Sequence, residues 1–272
     1  MANSSKAPPP LSCRDEHIDR HKEPHLKISD SAKAGEQHRA EHLAQEWMAA
    51  EKTFNGEDVD YTISIFGSAR IPAPEEENAS NPCRALCSFY KAARELSARI
   101  GAYIETNHLS STRLITGGGP GIMEASSRGA AEVGHGSIGL NIVLPREQRL
   151  NPFIAAKHSI EFQYFALRKM HFLKRAKALI VFPGGFGTLD ELFESLTLIQ
   201  TGKMPRIPVF LYGKKFWNEL INLELLVEYQ LIDAEDLALY HIVDSADEAW
   251  LQIEPILAEI SELNQTGAVS QR

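Results

Sequence analysis

The residues of this chain best placed to do chemistry fall in one run, Pro183-Gly184-Gly185-Phe186-Gly187-Thr188-Leu189-Asp190-Glu191, directly after the apolar stretch ALIVF. Gly184, Gly185 and Gly187 carry no Cβ, so they can take positive φ and let backbone N–H groups approach a ligand closely. A helix starting at Thr188 adds free N–H groups and the positive end of its dipole, and the Thr188 hydroxyl can bond a phosphate oxygen. The natural guest of such a loop is a phosphate. A carboxylate repels that guest, so Glu191 suits a neighbouring group such as a ribose hydroxyl. The same run also reads as a plain strand-to-helix connector. Thr188 and Glu191 have the spacing of a capping box, with Leu189, Leu192, Phe193, Leu196 and Ile199 as the buried stripe. Spacing alone leaves both readings open.

Two other stretches bear on the choice. In FALRKMHFLKRAK (165–177), Arg168 and Lys169 fall at the start of an expected helix, where the dipole disfavours cations, so Arg168 is a candidate ligand clamp. Lys174, Arg175 and Lys177 suit the helix C-terminus and need no functional reason. TGGGPGIMEA (116–125) suggests a dinucleotide site, but the required G-x-G-x-x-G is not met. Counting from Gly117 puts Ile122 in the third glycine position, and counting from Gly119 puts Glu124 there. The following strand ends in NIVLPRE, without an acid at its tip for a ribose. No G-K-[ST] closes a glycine run, which removes the P-loop as well.

These residues need a scaffold, and the pattern along the chain supplies one. Apolar segments at 61–67, 112–118, 136–143, 158–165, 178–182, 207–212 and 240–244 alternate with helical stretches near 82–100, 120–134, 166–176, 188–201, 214–228 and 245–262. Several of the strands are apolar at nearly every position, as in a parallel sheet covered on both faces. The expectation is a single-domain α/β fold, a Rossmann-like doubly wound parallel sheet flanked by helices. FGSAR (66–70), TGGGPGIMEA and FPGGFGTLDE (182–191) then all follow strand ends and gather at one sheet edge, where ligands of such sheets bind. Residues 1–36, with Pro8-Pro9-Pro10, read as a disordered tail, 37–54 as one amphipathic helix, 55–262 as the domain and 263–272 as a flexible tail.

The 272 residues carry a net charge of −8, which disfavours a nucleic-acid backbone or an anionic membrane surface as partner. No apolar run is long enough to span a bilayer, and the first residues lack the apolar centre of a secretory signal. Cys13, Cys83 and Cys87 form no disulfide framework and fit a reducing cytoplasm.

Taken together, GGGPGIMEA, the Arg168-Lys169 pair and PGGFGTLDE resemble the LONELY GUY (LOG) family of nucleoside 5′-monophosphate phosphoribohydrolases, whose signature P-G-G-x-G-T-x-x-E is met in full by Pro183–Glu191. The resemblance covers roughly 60–245, and many such proteins were once labelled lysine decarboxylases. It implies a Rossmann-like fold, at least a homodimer, and no cofactor or metal. The implied reaction cleaves the N-glycosidic bond of AMP or a cytokinin riboside monophosphate, releasing free base and ribose 5-phosphate. Carried over by motif, Arg168 and Glu191 are catalytic, and Gly184, Gly185, Gly187 and Thr188 hold the phosphate. Gly67, Ser68, Gly117, Gly118, Gly119, Met123 and Lys169 line the nucleoside. Three departures are visible: Asp190-Glu191 where many members have E-E, GGGPGIMEA where many have G-G-G-x-x-G-L-M-G, and an N-terminal extension of roughly 55 residues beyond a minimal member. The alternative on the same fold is a nucleotide-binding or sensing module without hydrolysis, which would not need an Arg168/Glu191 pair.

Overall fold

The computed structural model describes residues 35–75, 82–144 and 149–266. All seven expected strands form, as β1 (Tyr61–Phe66), β2 (Thr112–Thr116), β3 (Ile138–Ile142), β4 (Ser159–Phe162), β5 (Ala176–Val181), β6 (Val209–Tyr212) and β7 (His241–Val243). They make one seven-stranded sheet of order β4-β3-β2-β1-β5-β6-β7. Every pairing is parallel. The chain thus builds outward from β1 in one direction and, from β5 on, in the other, so the order reverses between β1 and β5. A doubly wound sheet opens its ligand crevice at that switch point, beyond the carboxyl ends of the strands.

Among the described residues there are eight α-helices: α1 (Gly35–Gly56), α2 (Cys87–Thr106), α3 (Ile122–Glu132), α4 (Phe165–Lys174), α5 (Phe186–Gln200), α6 (Lys214–Leu220), α7 (Glu224–Glu228) and α8 (Ala246–Thr266). Alternation along β5 shows how the sheet serves both layers. Ala178 and Ile180 pack into one core with Leu96 and Ile100 of α2, Ile122 of α3 and Ile253 of α8. Leu179 and Val181 pack into the other with Phe54 of α1, Phe172 of α4, Leu192 of α5 and Trp217 of α6. Burial on both faces is why the strand reads as continuously apolar.

Several boundaries differ from the expectation, among them α2, which spans Cys87–Thr106 where 82–100 was expected. The helix expected at 214–228 is two short ones, broken at Ile221, whose backbone is extended. Lys177 lies in β5 with its ammonium 4.9 Å from the Tyr61 ring centre, and so is not part of a helix C-terminus. The N-terminal helix is longer than 37–54, taking in Gly35 and Glu36, and α8 runs on to Thr266. The rest of the two expected tails, 1–34 and 267–272, lies outside the described residues, as does Cys13.

Candidate active site

The three loops after β1, β2 and β5 meet at the switch point and are stitched together through the backbone. Phe182 N–H donates to the Phe66 carbonyl at 2.8 Å, Ser68 N–H to Pro183 at 3.0 Å, and Ile122 N–H to Ser68 at 3.0 Å. Gly121 is required at this junction. It sits at φ 71°, and a Cβ there would run into the Ser68 carbonyl and lie 2.7 Å from the Ala69 carbonyl carbon. Between the loops lies a cavity of about 800 Å³, within the range of small-molecule sites.

The glycine loop differs from its expected form in two ways. Gly184, Gly185 and Gly187 are not among the glycines with positive φ, and Gly185 is extended at φ −95°. The loop needs no left-handed turn because it passes straight from β5 into α5. What the missing Cβ atoms provide is access: one at Gly185 or Gly187 would meet nothing within 4 Å, whereas one at Gly184 would collide with Thr188. Second, α5 begins at Phe186 rather than Thr188, so the capping box does not form. Gly185 is the N-cap, and its carbonyl accepts from both Thr188 and Leu189 at 3.0 Å. The N–H groups of Phe186 and Gly187 open the helix without intrahelical partners, beside the cavity.

This shift of two residues rotates the helix. The buried stripe of α5 is Thr188, Glu191, Leu192, Ser195 and Ile199, and Phe193 is exposed instead of buried. A buried stripe with three polar members costs stability unless each is satisfied. Ser195 Oγ donates to the Glu191 carbonyl at 2.6 Å. Glu191 is only 5% exposed, yet its Oε2 has no hydrogen-bond partner. Burial pushes the Glu191 carboxyl up to about 7, against the pull of Arg168 and Lys169. A carboxyl at that value exchanges protons near neutrality, as a general acid or base must.

Arg168 reaches the same cavity from α4. Its Nε donates to the Leu140 carbonyl at 2.8 Å, and its guanidinium carbon lies 5.2 Å from the Phe172 ring centre. Burial lowers its pKa, and the Glu191 charge opposes that. Gly117 leaves room for it, since a Cβ at this position would strike the guanidinium and approach Met123 Sδ at 2.6 Å.

Of the residues singled out from sequence, Arg168, Glu191, Gly184, Gly185, Gly187, Thr188, Gly67, Ser68, Gly117 and Met123 line the cavity. Gly118 and Gly119 are turned elsewhere, their carbonyls accepting from Asn151 Nδ2 at 3.1 Å. Lys169 is engaged with α5, at 2.7 Å from Asp190 and 3.0 Å from Glu194. It joins the helix carrying Arg168 to the helix carrying Glu191. Arg70, Ile142, Leu144, Phe165, Phe186 and Leu220, none of them singled out from the sequence, also line the cavity. Arg70, Phe165 and Phe186 stand inside motifs already quoted, and Ile142 ends a strand at the productive edge. Leu220 arrives from α6 without any local signal.

Fold and site together define a doubly wound α/β protein with a largely apolar cavity at its switch point, into which Arg168, Thr188 and Glu191 bring polar groups. Residues 123–253 match the family described as "Possible lysine decarboxylase". The matched span holds Arg168 and the whole of Pro183–Glu191. Among the described residues no lysine lines the cavity. No curated protein sequence matches. Among solved structures, the Moco carrier protein from Chlamydomonas reinhardtii is similar at 21% identity, covering 74% of this chain and 99% of its own, with a TM-score of 0.47. The molybdenum cofactor binding protein from Rippkaea orientalis is similar at 20% identity, covering 73% and 98%, with a TM-score of 0.46. Among the described residues no helix is long and apolar enough to cross a membrane.

Proposed function

We propose that the protein hydrolyses the N-glycosidic bond of nucleoside 5′-monophosphates, AMP or a cytokinin riboside monophosphate, to free base and ribose 5-phosphate. The observation that carries the reading is Glu191: a buried carboxyl with an unpartnered oxygen and a pKa of about 7, in the same cavity as Arg168 and the glycine loop. The free N–H groups of Phe186 and Gly187, with the Thr188 hydroxyl, hold the phosphate. Gly67, Ser68, Gly117 and Met123 border the nucleoside. As the C1′–N bond breaks, positive charge builds on the ribose, as in the oxocarbenium state of glycoside hydrolysis. Ionised Glu191 stabilises that charge and takes a proton from the water that adds to C1′. Arg168 orients the sugar and the departing base, which leaves with the bonding electron pair and gains a proton.

Purified protein incubated with purine and pyrimidine monophosphates should release free base, and release from the unphosphorylated nucleosides should be slower by about a hundredfold or more. Equal rates on both would remove the role of the loop. Arg168→Ala should abolish turnover while the protein stays folded. Nucleotide binding without release of base would leave a non-catalytic binding module in place of an enzyme.

The reading includes a cytoplasmic homodimer. Phe165 and Met170 of α4 and Phe186 and Phe193 of α5 are exposed, Phe186 by 93%. Exposed apolar side chains beside a cavity suit an interface, and Phe165 and Phe186 border the cavity. A Phe186→Glu variant should therefore run at the monomer mass by light scattering, with the unchanged protein at twice that mass. An unchanged elution would place the contact elsewhere.

A further inference from the structure

Helix α1 lies outside the sheet, yet it grips both ends of α4. At the N-terminal end, Glu46 accepts the backbone amides of Gln163 at 3.1 Å and Tyr164 at 3.2 Å. Tyr164 is the N-cap of α4 and provides no side-chain cap of its own. The carboxylate that a helix N-terminus favours is here supplied by a different helix. At the C-terminal end, Glu51 takes both terminal nitrogens of Arg175, at 3.0 and 2.9 Å, and Lys174 at 2.8 Å. Between these grips the His171 ring is fully buried, 4.4 Å from Trp47 and 5.8 Å from Phe54 of α1. On its other side α4 is tied to α5 through Lys169. Arg168 stands between the two gripped ends.

We propose that α1 is a positioning element for the cavity, with Glu46 and Glu51 as positioning residues that fix the axial and rotational setting of α4 and so the place of the Arg168 guanidinium opposite Glu191. The inference rests on the reading of Arg168 and Glu191 as the working pair. The geometry explains features that packing alone does not require. A helix held only by apolar contacts can slide along its axis, whereas one with a carboxylate at each end cannot move without losing a charge-assisted bond. Catalytic geometry is sensitive to such slips, since a displacement of about 1 Å can cost on the order of a hundredfold in rate.

Glu46→Ala is the direct test, because Glu46 is partly exposed and its loss strands no buried cation. On a nucleoside monophosphate, kcat should fall by about ten- to a hundredfold with KM nearly unchanged. Glu46→Gln, which keeps an acceptor oxygen, should recover part of that loss. Glu41→Ala, at an exposed position of the same helix, should match the unchanged protein. The second readout needs no turnover: the titration of the Glu191 carboxyl, followed by carbon-13 NMR of glutamate-labelled protein and assigned with Glu191→Gln. The charged groups facing Glu191 are Arg168 and Lys169 from α4 and Asp190 and Glu194 from α5. Withdrawing the α4 cations removes what lowers its pKa, so in Glu46→Ala the midpoint should move up. A helix that merely adds stability would lower Tm and move neither kcat nor the midpoint, and that result overturns the proposal. If no monophosphate is cleaved even by the unchanged protein, the hydrolase reading fails, while the Glu191 midpoint still decides whether α1 sets the pair.

Discussion

Replacing Glu191 with glutamine is expected to abolish base release while making the protein more resistant to unfolding at alkaline pH. The loss follows from the role of the carboxylate, since removing a positioned acid–base group costs about 10²- to 10⁴-fold. The gain follows from proton linkage. Glu191 titrates at about 7 in the folded protein against 4.5 as its ordinary value. Above pH 4.5 the unfolded chain has given up this proton while the folded chain still holds it, so stability falls as pH rises from there through 7. The full penalty is on the order of 3 kcal/mol. Glutamine carries no proton to lose. Between pH 4.5 and pH 8 the stability difference should therefore shift by about that amount in favour of Glu191→Gln, whatever constant offset the amide introduces. Urea unfolding of both proteins across this range measures it. Parallel curves would mean that the carboxyl is not held protonated, and undiminished base release would remove it from the mechanism.

The second large effect is expected far from the cavity. Glu51→Ala should destabilise the protein by about 3 kcal/mol or more, because it leaves the Arg175 guanidinium buried without its counter-charge. Arg175 is 8% exposed and is anchored from the other side, its Nε donating to the Val59 carbonyl at 2.9 Å. Burial alone would raise the Glu51 carboxyl, but its hydrogen bonds to Arg175 and Lys174 outweigh that and bring it down to about 2. A depressed carboxyl contributes fully above its ordinary value of 4.5 and is lost as pH falls through 2. The acid limb of the stability curve should accordingly be shallower in Glu51→Ala than in the unchanged protein. Thermal melts between pH 2 and pH 6 test this, and identical acid limbs would show that the pair carries no net stabilisation.

The two positions also mark what could be read from the chain. The sheet was legible because a parallel strand buried on both faces leaves a local signature, as in Ala178-Leu179-Ile180-Val181, and because strand–helix alternation fixes which loops share an edge. FGSAR, TGGGPG and PGGFG could be grouped on that ground alone. The phase of α5 could not. Local pattern favoured a helix from Thr188 with Phe193 inward, since buried stripes are usually apolar. The structure starts the helix at Phe186 and buries Thr188, Glu191 and Ser195, so that Thr188 and Glu191 face the cavity. Pairings such as Glu46 with Tyr164, or Glu51 with Arg175, leave no periodic trace, because their partners lie far along the chain. Glu51 read as one acid among many on an amphipathic helix, and Arg175 as an ordinary helix-terminal cation.

The neighbouring position of β1 and β5 bears on how the molecule comes to exist in time. Ile63 pairs with Ala178 and Phe66 with Val181, partners separated by on the order of a hundred residues, and closing a loop of that length costs about 4 kcal/mol in chain entropy. Strands β1 to β4 add one beside the next and can assemble as the chain is made. The crevice cannot, because one of its walls is not synthesised until β5 emerges and must then dock on the open β1 edge of the half-built sheet. Contacts so distant slow the search for the native state. Throughout that interval the apolar edge of β1 stands open, so the step that creates the cavity is also the one in which the nascent protein is most exposed to aggregation.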